Sequence, residues 1–130
     1  MRELELPCAR ESVGQAREFV RTCWTDLLPN APRGKANDAE LAVSEMVTIA
    51  LSHQPTEMCV RVAAIESSRC RIVVADNGRT SASPPALGRG SAGIGMVVVA
   101  ALGTVGHELT SRGTTLWVDL TFPGPTPGIL

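Results

Sequence analysis

The spacing of hydrophobic residues along the chain predicts three helices and five strands. Apolar residues recur every three to four positions in the helical segments and alternate with polar ones, or run together, in the strands. The predicted elements are, in order, a strand over 3–6, helices over 12–28 and 37–52, strands over 57–65 and 69–75, a helix over 95–102, and strands over 104–110 and 114–122. Ser12 with Gln15, and Asn37 with Glu40, have capping-box spacing and mark the first two helix starts.

This order of elements predicts one domain over residues 1–122, an α/β (α+β) two-layer sandwich with helices on one face of a mixed, mostly antiparallel sheet. A three-residue turn over 66–68 would put the apolar residues of two strands on one face, and Asp76 with them. Residues 77–92 are rich in Gly, Ser and Pro and predict a long loop. Residues 123–130 predict a disordered Pro/Gly tail.

Composition narrows the class of protein. With 130 residues, 44% hydrophobic and 19% charged, the chain can form one packed core. The net charge of −1, without long runs of one sign, argues against direct nucleic-acid binding. The charged start and the short apolar runs predict neither a signal peptide nor a membrane span, so we expect a cytoplasmic protein. The four cysteines lack metal-ligand spacing and are expected to be buried free thiols.

Four short segments carry the candidate chemistry. Asp76-Asn77-Gly78 ends an apolar strand, and Asn-Gly alone is a common turn, but an inward carboxylate there needs a partner or a ligand. The glycines of residues 88–95 precede a predicted helix, where they would serve as a phosphate site or a flexible cap. Glu45 is a candidate general base or a solvent-facing helix residue. His53 would touch a phosphate or favour the negative end of its helix.

The ordered combination resembles the GHKL ATPase superfamily of gyrases, heat-shock chaperones and histidine kinases, whose members have the Bergerat-type ATP-binding fold. The resemblance is strongest to its bacterial anti-sigma-factor serine kinases. It covers nearly the whole chain and rests on the helix segment 45–53, the Asp76-x-Gly78 box, the Gly93-x-Gly95 box and the Gly113-Thr114-Thr115 strand. Each of these elements is common in unrelated proteins. Only their combination in this order is specific.

The resemblance implies a role for each site residue, with ATP as the cofactor. At the adenine end, Asp76 would accept the amino group, Gly78 would let the base approach, Thr115 would lie near it, and residues 77–92 would form a lid. At the phosphate end, Glu45 would activate the attacking hydroxyl or water. The residues that would contact phosphate there are Gly93, Ile94, Gly95, Met96 and His53.

Ile49 departs from the family pattern. The family has Glu-Leu-Val-Thr-Asn-Ala, in which the Asn oxygen coordinates Mg²⁺, and Ile49 has no oxygen to offer. Magnesium needs oxygen ligands and neutralises charge during phosphoryl transfer. We therefore predict no metal-ligating residue here. Loss of the magnesium ion should affect catalysis more than adenine binding.

Three functions follow as alternatives. The first is an ATP-binding anti-sigma-type regulator that binds a sigma factor and phosphorylates a serine of an antagonist protein. The second is a non-catalytic relative that keeps the fold and the protein-binding surface. The third is an α/β domain that uses the same pocket for another small ligand. Homodimers are common in the family, and the sequence leaves a homodimer open.

Overall fold

Five strands form a single sheet in the order β1-β2-β3-β5-β4. The structure is a computed structural model that describes residues 1–78 and 90–123, with the backbone alone for 90–94. The elements are β1 (Arg2–Leu6), α1 (Ser12–Leu27), α2 (Arg33–Ser52), β2 (Met58–Glu66), β3 (Arg69–Asp76), α3 (Gly90–Leu102), β4 (Thr104–Thr110) and β5 (Gly113–Thr121). Their order confirms the predicted fold class.

All four strand pairings of the described residues are antiparallel. The sheet was expected to be mixed and mostly antiparallel. The structure differs in that it has no parallel pair within these residues. α3 connects β3 to β4, and β5 returns between them to pair with both. This arrangement places the end of β3 beside the start of β5.

The predicted register of β2 and β3 is confirmed. Met58 pairs with Asp76 and Val60 with Val74, so Asp76 lies on the face that carries the core. The turn differs from the prediction, because β2 ends at Glu66 and β3 begins at Arg69, which leaves two residues between them. A bulge between Ala64 and Glu66 shifts the pairing by one residue and restores the expected faces.

The helices lie on one face of the sheet, with α2 packed against both α1 and α3. Val43, Val47 and Ala50 of α2 are fully buried, while Leu41 is 44% exposed, so one side of this mostly apolar helix remains open. Trp24 of α1 and Phe122 after β5 close one end of the core with ring centroids 5.7 Å apart.

The predicted start of α1 at Ser12 is confirmed, although its cap is not, and the predicted starts of α2 and α3 need correction. Ser12 makes no capping hydrogen bond, and its hydroxyl is buried without a partner among the described residues. α2 begins at Arg33, four residues before Asn37, because Pro32 has the fixed φ of −59° that suits a helix entrance. α3 begins at Gly90 rather than at residue 95. Three glycines therefore lie inside the helix, although glycine lowers helix propensity.

The rest of the predicted loop, residues 79–89, lies outside the described residues, as do residues 124–130 of the predicted tail. None of the described helices combines the length and apolar character needed to cross a membrane.

The four cysteines are free, as expected, but they differ in exposure. Cys23 and Cys70 are buried, Cys59 is half-buried, and Cys8 is exposed, so the expectation of buried thiols was wrong for Cys8. Burial raises the pKa of the Cys70 thiol to about 12, which leaves almost no reactive thiolate at pH 8.

Thiol labelling tests this arrangement. At pH 8 the native protein should show Cys8 as the fast thiol with a disulfide reagent, and Cys70 should react only on unfolding. Cys8→Ser should remove the fast phase. Rapid labelling of Cys70 in the folded Cys8→Ser protein would contradict the packing of β3.

Candidate functional site

The end of β3 is held against the end of α2 by the carboxylate of Asp76. This side chain is fully buried, and its Oδ2 lies 3.0 Å from Nδ1 of His53, which is itself 8% exposed. Its Oδ1 accepts a hydrogen bond of 2.8 Å from the backbone N–H of Gly78. Both carboxylate oxygens therefore have a protein partner, and each retains a lone pair for a further donor.

Asn77 and Gly78 tie the same two elements together. The Asn77 side-chain oxygen accepts hydrogen bonds from the backbone N–H groups of Thr56 and Glu57, at 2.8 and 2.9 Å. A Cβ on Gly78 would lie 2.3 Å from the backbone oxygen of His53. The box is thus more than a turn, because it fixes the connection between α2 and β2.

The contact between His53 and Asp76 was missed by the sequence reasoning, which weighed His53 against a phosphate or its own helix. The elements that bring them together are α2 and β3, which are separated by β2 in the chain. A histidine at a helix end and an inward acid at a strand end were the available signals. The strand register alone could not show that the two ends meet.

Thr114 is the threonine that faces the same side as Asp76. The two residues pair directly across β3 and β5, whereas Thr115 pairs with Ala75 and points to the helix-free face. Thr114 is 1% exposed, and its hydroxyl has no hydrogen-bond partner among the described residues. The structure therefore replaces Thr115 with Thr114 as the candidate. The alternation of Thr114 with Leu116, Val118 and Leu120 was the sequence signal.

A cavity of about 560 Å³ adjoins Thr114 and Gly78. This volume lies within the range of small-molecule sites. Its wall includes the apolar side chain of Leu109, which is 42% exposed, and two residues of opposite charge, Glu57 and Arg112. An unpartnered buried hydroxyl beside a cavity of this size is a feature that a ligand would satisfy.

One to two turns before His53, Ile49 and Glu45 of α2 pack against α3. A Cβ on Gly95 would lie 3.0 Å from Oε2 of Glu45 and 3.4 Å from Cδ1 of Ile49. Ile49 is 1% exposed and Met96 is 5% exposed, so both contribute to an apolar contact. The structure thus brings Glu45, Gly95 and the departing residue Ile49 together.

The start of α3 changes what the glycine box can do. Only the first four N–H groups of a helix lack a partner within it. Because α3 begins at Gly90, the amides of Gly95 and Met96 come after that turn, contrary to the expected phosphate contacts. The backbone of Gly93 and Ile94 lies in the first turn and a half of the helix, and the structure describes only the backbone of these two residues.

No group of three or more His, Cys, Asp or Glu side chains is placed to hold a metal ion in the described ranges 1–78 and 90–123. At the position where the family resemblance implies an Asn ligand, the structure has the buried aliphatic side chain of Ile49. Ile49 itself cannot ligate a magnesium ion, because the ion requires oxygen ligands, and the side-chain oxygen at this contact belongs to Glu45.

Comparisons with known proteins give structural likenesses. No family model and no curated protein sequence matches the chain. The blue-light-activated histidine kinase of Erythrobacter litoralis is 25% identical, with a TM-score of 0.54 over 71% of this chain and 32% of the kinase. The mycobacterial sensor histidine kinase MprB is 16% identical, with a TM-score of 0.49 over 92% and 97% of the two chains. This chain spans about a third of the first kinase, and its fold is similar to that of a histidine-kinase domain.

Proposed function

We propose that this protein is a regulatory domain that binds an adenine compound at the junction of α2, β3 and β5. The observation that carries the proposal is the pairing of Asp76 with Thr114. Both are buried, one offers carboxylate lone pairs, and the other has a hydroxyl without a partner among the described residues. Buried polar groups of this kind are usually satisfied by protein, water or ligand.

The chemistry suits an aminopurine. Asp76 would accept the exocyclic N–H, because an ionised carboxylate is an acceptor only. The Thr114 hydroxyl can donate to a ring nitrogen, so the two residues together would read a donor beside an acceptor. This pattern distinguishes adenine from a purine that carries an oxygen at the same position, because two acceptors would then face each other.

The finer parts of the proposal rest on the family resemblance. An anti-sigma-type regulator in the cytoplasm would bind a sigma factor and an antagonist protein, and a catalytic member would use Glu45 to activate a serine hydroxyl of the antagonist. Ile49 favours the second alternative, a non-catalytic protein-binding relative, since the site has no oxygen ligand at that position for the ion that supports phosphoryl transfer. The third alternative is another small ligand in the same cavity.

Matched valine substitutions of the two adjacent threonines test the proposal. Thr114→Val should weaken binding of ATP or ADP about fivefold, the effect of one hydrogen bond, and Thr115→Val should leave it unchanged. Isothermal titration calorimetry, with and without Mg²⁺, measures both. Equal affinities of wild type and Thr114→Val would contradict the assignment of Thr114.

The same pair separates binding from folding. Removal of a buried hydroxyl without a partner should not destabilise the ligand-free protein, and we expect Thr114→Val to gain up to about 1 kcal/mol in unfolding free energy. Thr115→Val, on the helix-free face, should stay within about 0.5 kcal/mol of wild type. Loss of affinity without loss of stability would then mark a ligand contact.

A further inference from the structure

We infer that the site selects adenosine or a nucleoside monophosphate over ADP and ATP. The inference rests on the proposed adenine site and concerns the contact between α2 and α3, where Glu45 and Ile49 meet Gly95. Three observations there act against phosphate: a carboxylate, a buried aliphatic side chain, and helix amides that are already engaged.

The carboxylate is that of Glu45. Its Oε2 is the atom nearest to the Cβ position of Gly95, at 3.0 Å, so a negative charge lies against the first half of α3. Within the described ranges, Glu45 forms no ion pair. A phosphate chain that ran along α3 would meet this charge, and each added phosphate would increase the repulsion.

The second observation is Ile49. Its Cδ1 and Cγ1 lie 3.4 and 3.6 Å from the Cβ position of Gly95, and the side chain is 1% exposed. A divalent cation at this point would screen Glu45 from the phosphates, as metal ions do in phosphoryl transfer. Ile49 supplies no oxygen for that cation, which leaves the carboxylate of Glu45 as the protein ligand at this contact.

The third observation is the position of Gly95 and Met96 within α3. Helix N-termini attract anions through amides that have no partner in the helix. With α3 starting at Gly90, the amides of Gly95 and Met96 follow the first four and belong to the helical ladder. These two amides are therefore hydrogen-bonded within the helix and are not free to bind a phosphate.

The charges at the cavity beside Thr114 do not compensate. Glu57 and Arg112 line it together and are opposite in sign, so they add no net positive charge. Asp76 and Thr114 face the same side at the proposed adenine end, and no cation of the described residues pairs with Glu45 at the other end. A ligand with adenine and little charge fits both ends.

An affinity series tests the inference. Wild-type protein is titrated calorimetrically with adenosine, AMP, ADP and ATP in EDTA, and then with ADP and ATP in Mg²⁺. We expect the affinity to fall from AMP to ATP by about tenfold or more in EDTA, with incomplete recovery in Mg²⁺ because Ile49 supplies no oxygen ligand. Affinity that is flat or rises with phosphate number would overturn the inference and leave the proposed adenine site standing. Absence of binding by all four compounds would overturn both.

A charge-neutral variant tests the role of Glu45. Glu45→Gln keeps the shape of the side chain and should narrow the gap between AMP and ATP about three- to tenfold, without changing adenosine binding. Asp38→Asn removes a carboxylate from the same helix, away from this contact, and should leave the gap unchanged. An unchanged gap in Glu45→Gln would overturn the electrostatic account.

Discussion

Asp76→Asn should reduce the affinity for adenine compounds about hundredfold while the protein remains folded. The amide oxygen can still accept the N–H of Gly78, and the amide N–H₂ can donate to a neutral His53 Nδ1. Toward the ligand, however, the carboxylate acceptor becomes a donor that would face the donor N–H of adenine. A hydrogen bond to a charged group contributes roughly 1.5–3 kcal/mol, which corresponds to the expected loss.

The matched control is Asp119→Asn. Asp119 is the other buried aspartate, on the helix-free face, where Arg71 donates to it at 2.6 and 2.8 Å. These hydrogen bonds hold the pKa of its carboxyl below the usual value. Its contribution to stability is therefore complete above the unfolded pKa and is lost as the pH falls through the folded one.

At neutral pH, Asp119→Asn should lower the unfolding free energy by about 1 kcal/mol and leave adenine affinity unchanged. Calorimetric titration and urea unfolding of both variants give the comparison. Equal affinity of Asp76→Asn and wild type would contradict the assignment of Asp76 as the adenine acceptor, since no other described carboxylate pairs with Thr114 across the sheet.

Gly113→Ala should destabilise the protein by about 3 kcal/mol or more. Gly113 has φ of +139°, a region that side chains disfavour, and a Cβ would lie 2.0 Å from the backbone oxygen of Asp76. The second neighbour, Cα of Asn77 at 2.7 Å, is also backbone. Strain and overpacking each cost about 1–3 kcal/mol, and relief requires the end of β3 to move. The substitution should therefore weaken ligand binding as well.

Gly14→Ala is the control for Gly113→Ala. Gly14 lies in α1, and a Cβ there would meet nothing within 4 Å, so alanine should stabilise the helix by about 0.5–1 kcal/mol. Urea unfolding midpoints should move in opposite directions for the two variants. A Gly113→Ala protein as stable as wild type would contradict the close approach of β5 to the end of β3.

The fold could be predicted from the sequence because its signals are local or periodic. The alternation of apolar and polar residues in β2 and β3 predicted correctly which side chains face the core. The register arises from a bulge in β2 and not from the longer turn that we expected. The start of α1 at Ser12 was predicted correctly, whereas Asn37 had capping-box spacing and yet lies inside α2. Pro32 set the start of α2 without any capping side chain.

The site could be predicted only in part, because its central contacts join residues that are distant in the chain. The inward position of Asp76 followed from alternation. Its partner His53 did not, because that contact depends on where α2 ends above the sheet. The family resemblance implied Thr115, whereas the strand register places Thr114 on the same face as Asp76. Ile49 could be identified from the sequence because it replaces the asparagine of the family motif. Its contact with Gly95 could be seen only in the structure.

The most direct test of the central claim is an NMR titration of the ¹⁵N-labelled wild-type protein with AMP. The amide of Gly78 donates to Asp76, so its shift reports on that carboxylate, and the amide of Thr114 reports on the opposite strand. We predict saturable shifts at both amides with one common affinity, and far smaller shifts at the same AMP concentrations in Asp76→Asn. Unchanged Gly78 and Thr114 amides at saturating AMP and adenosine would contradict an adenine site at this junction.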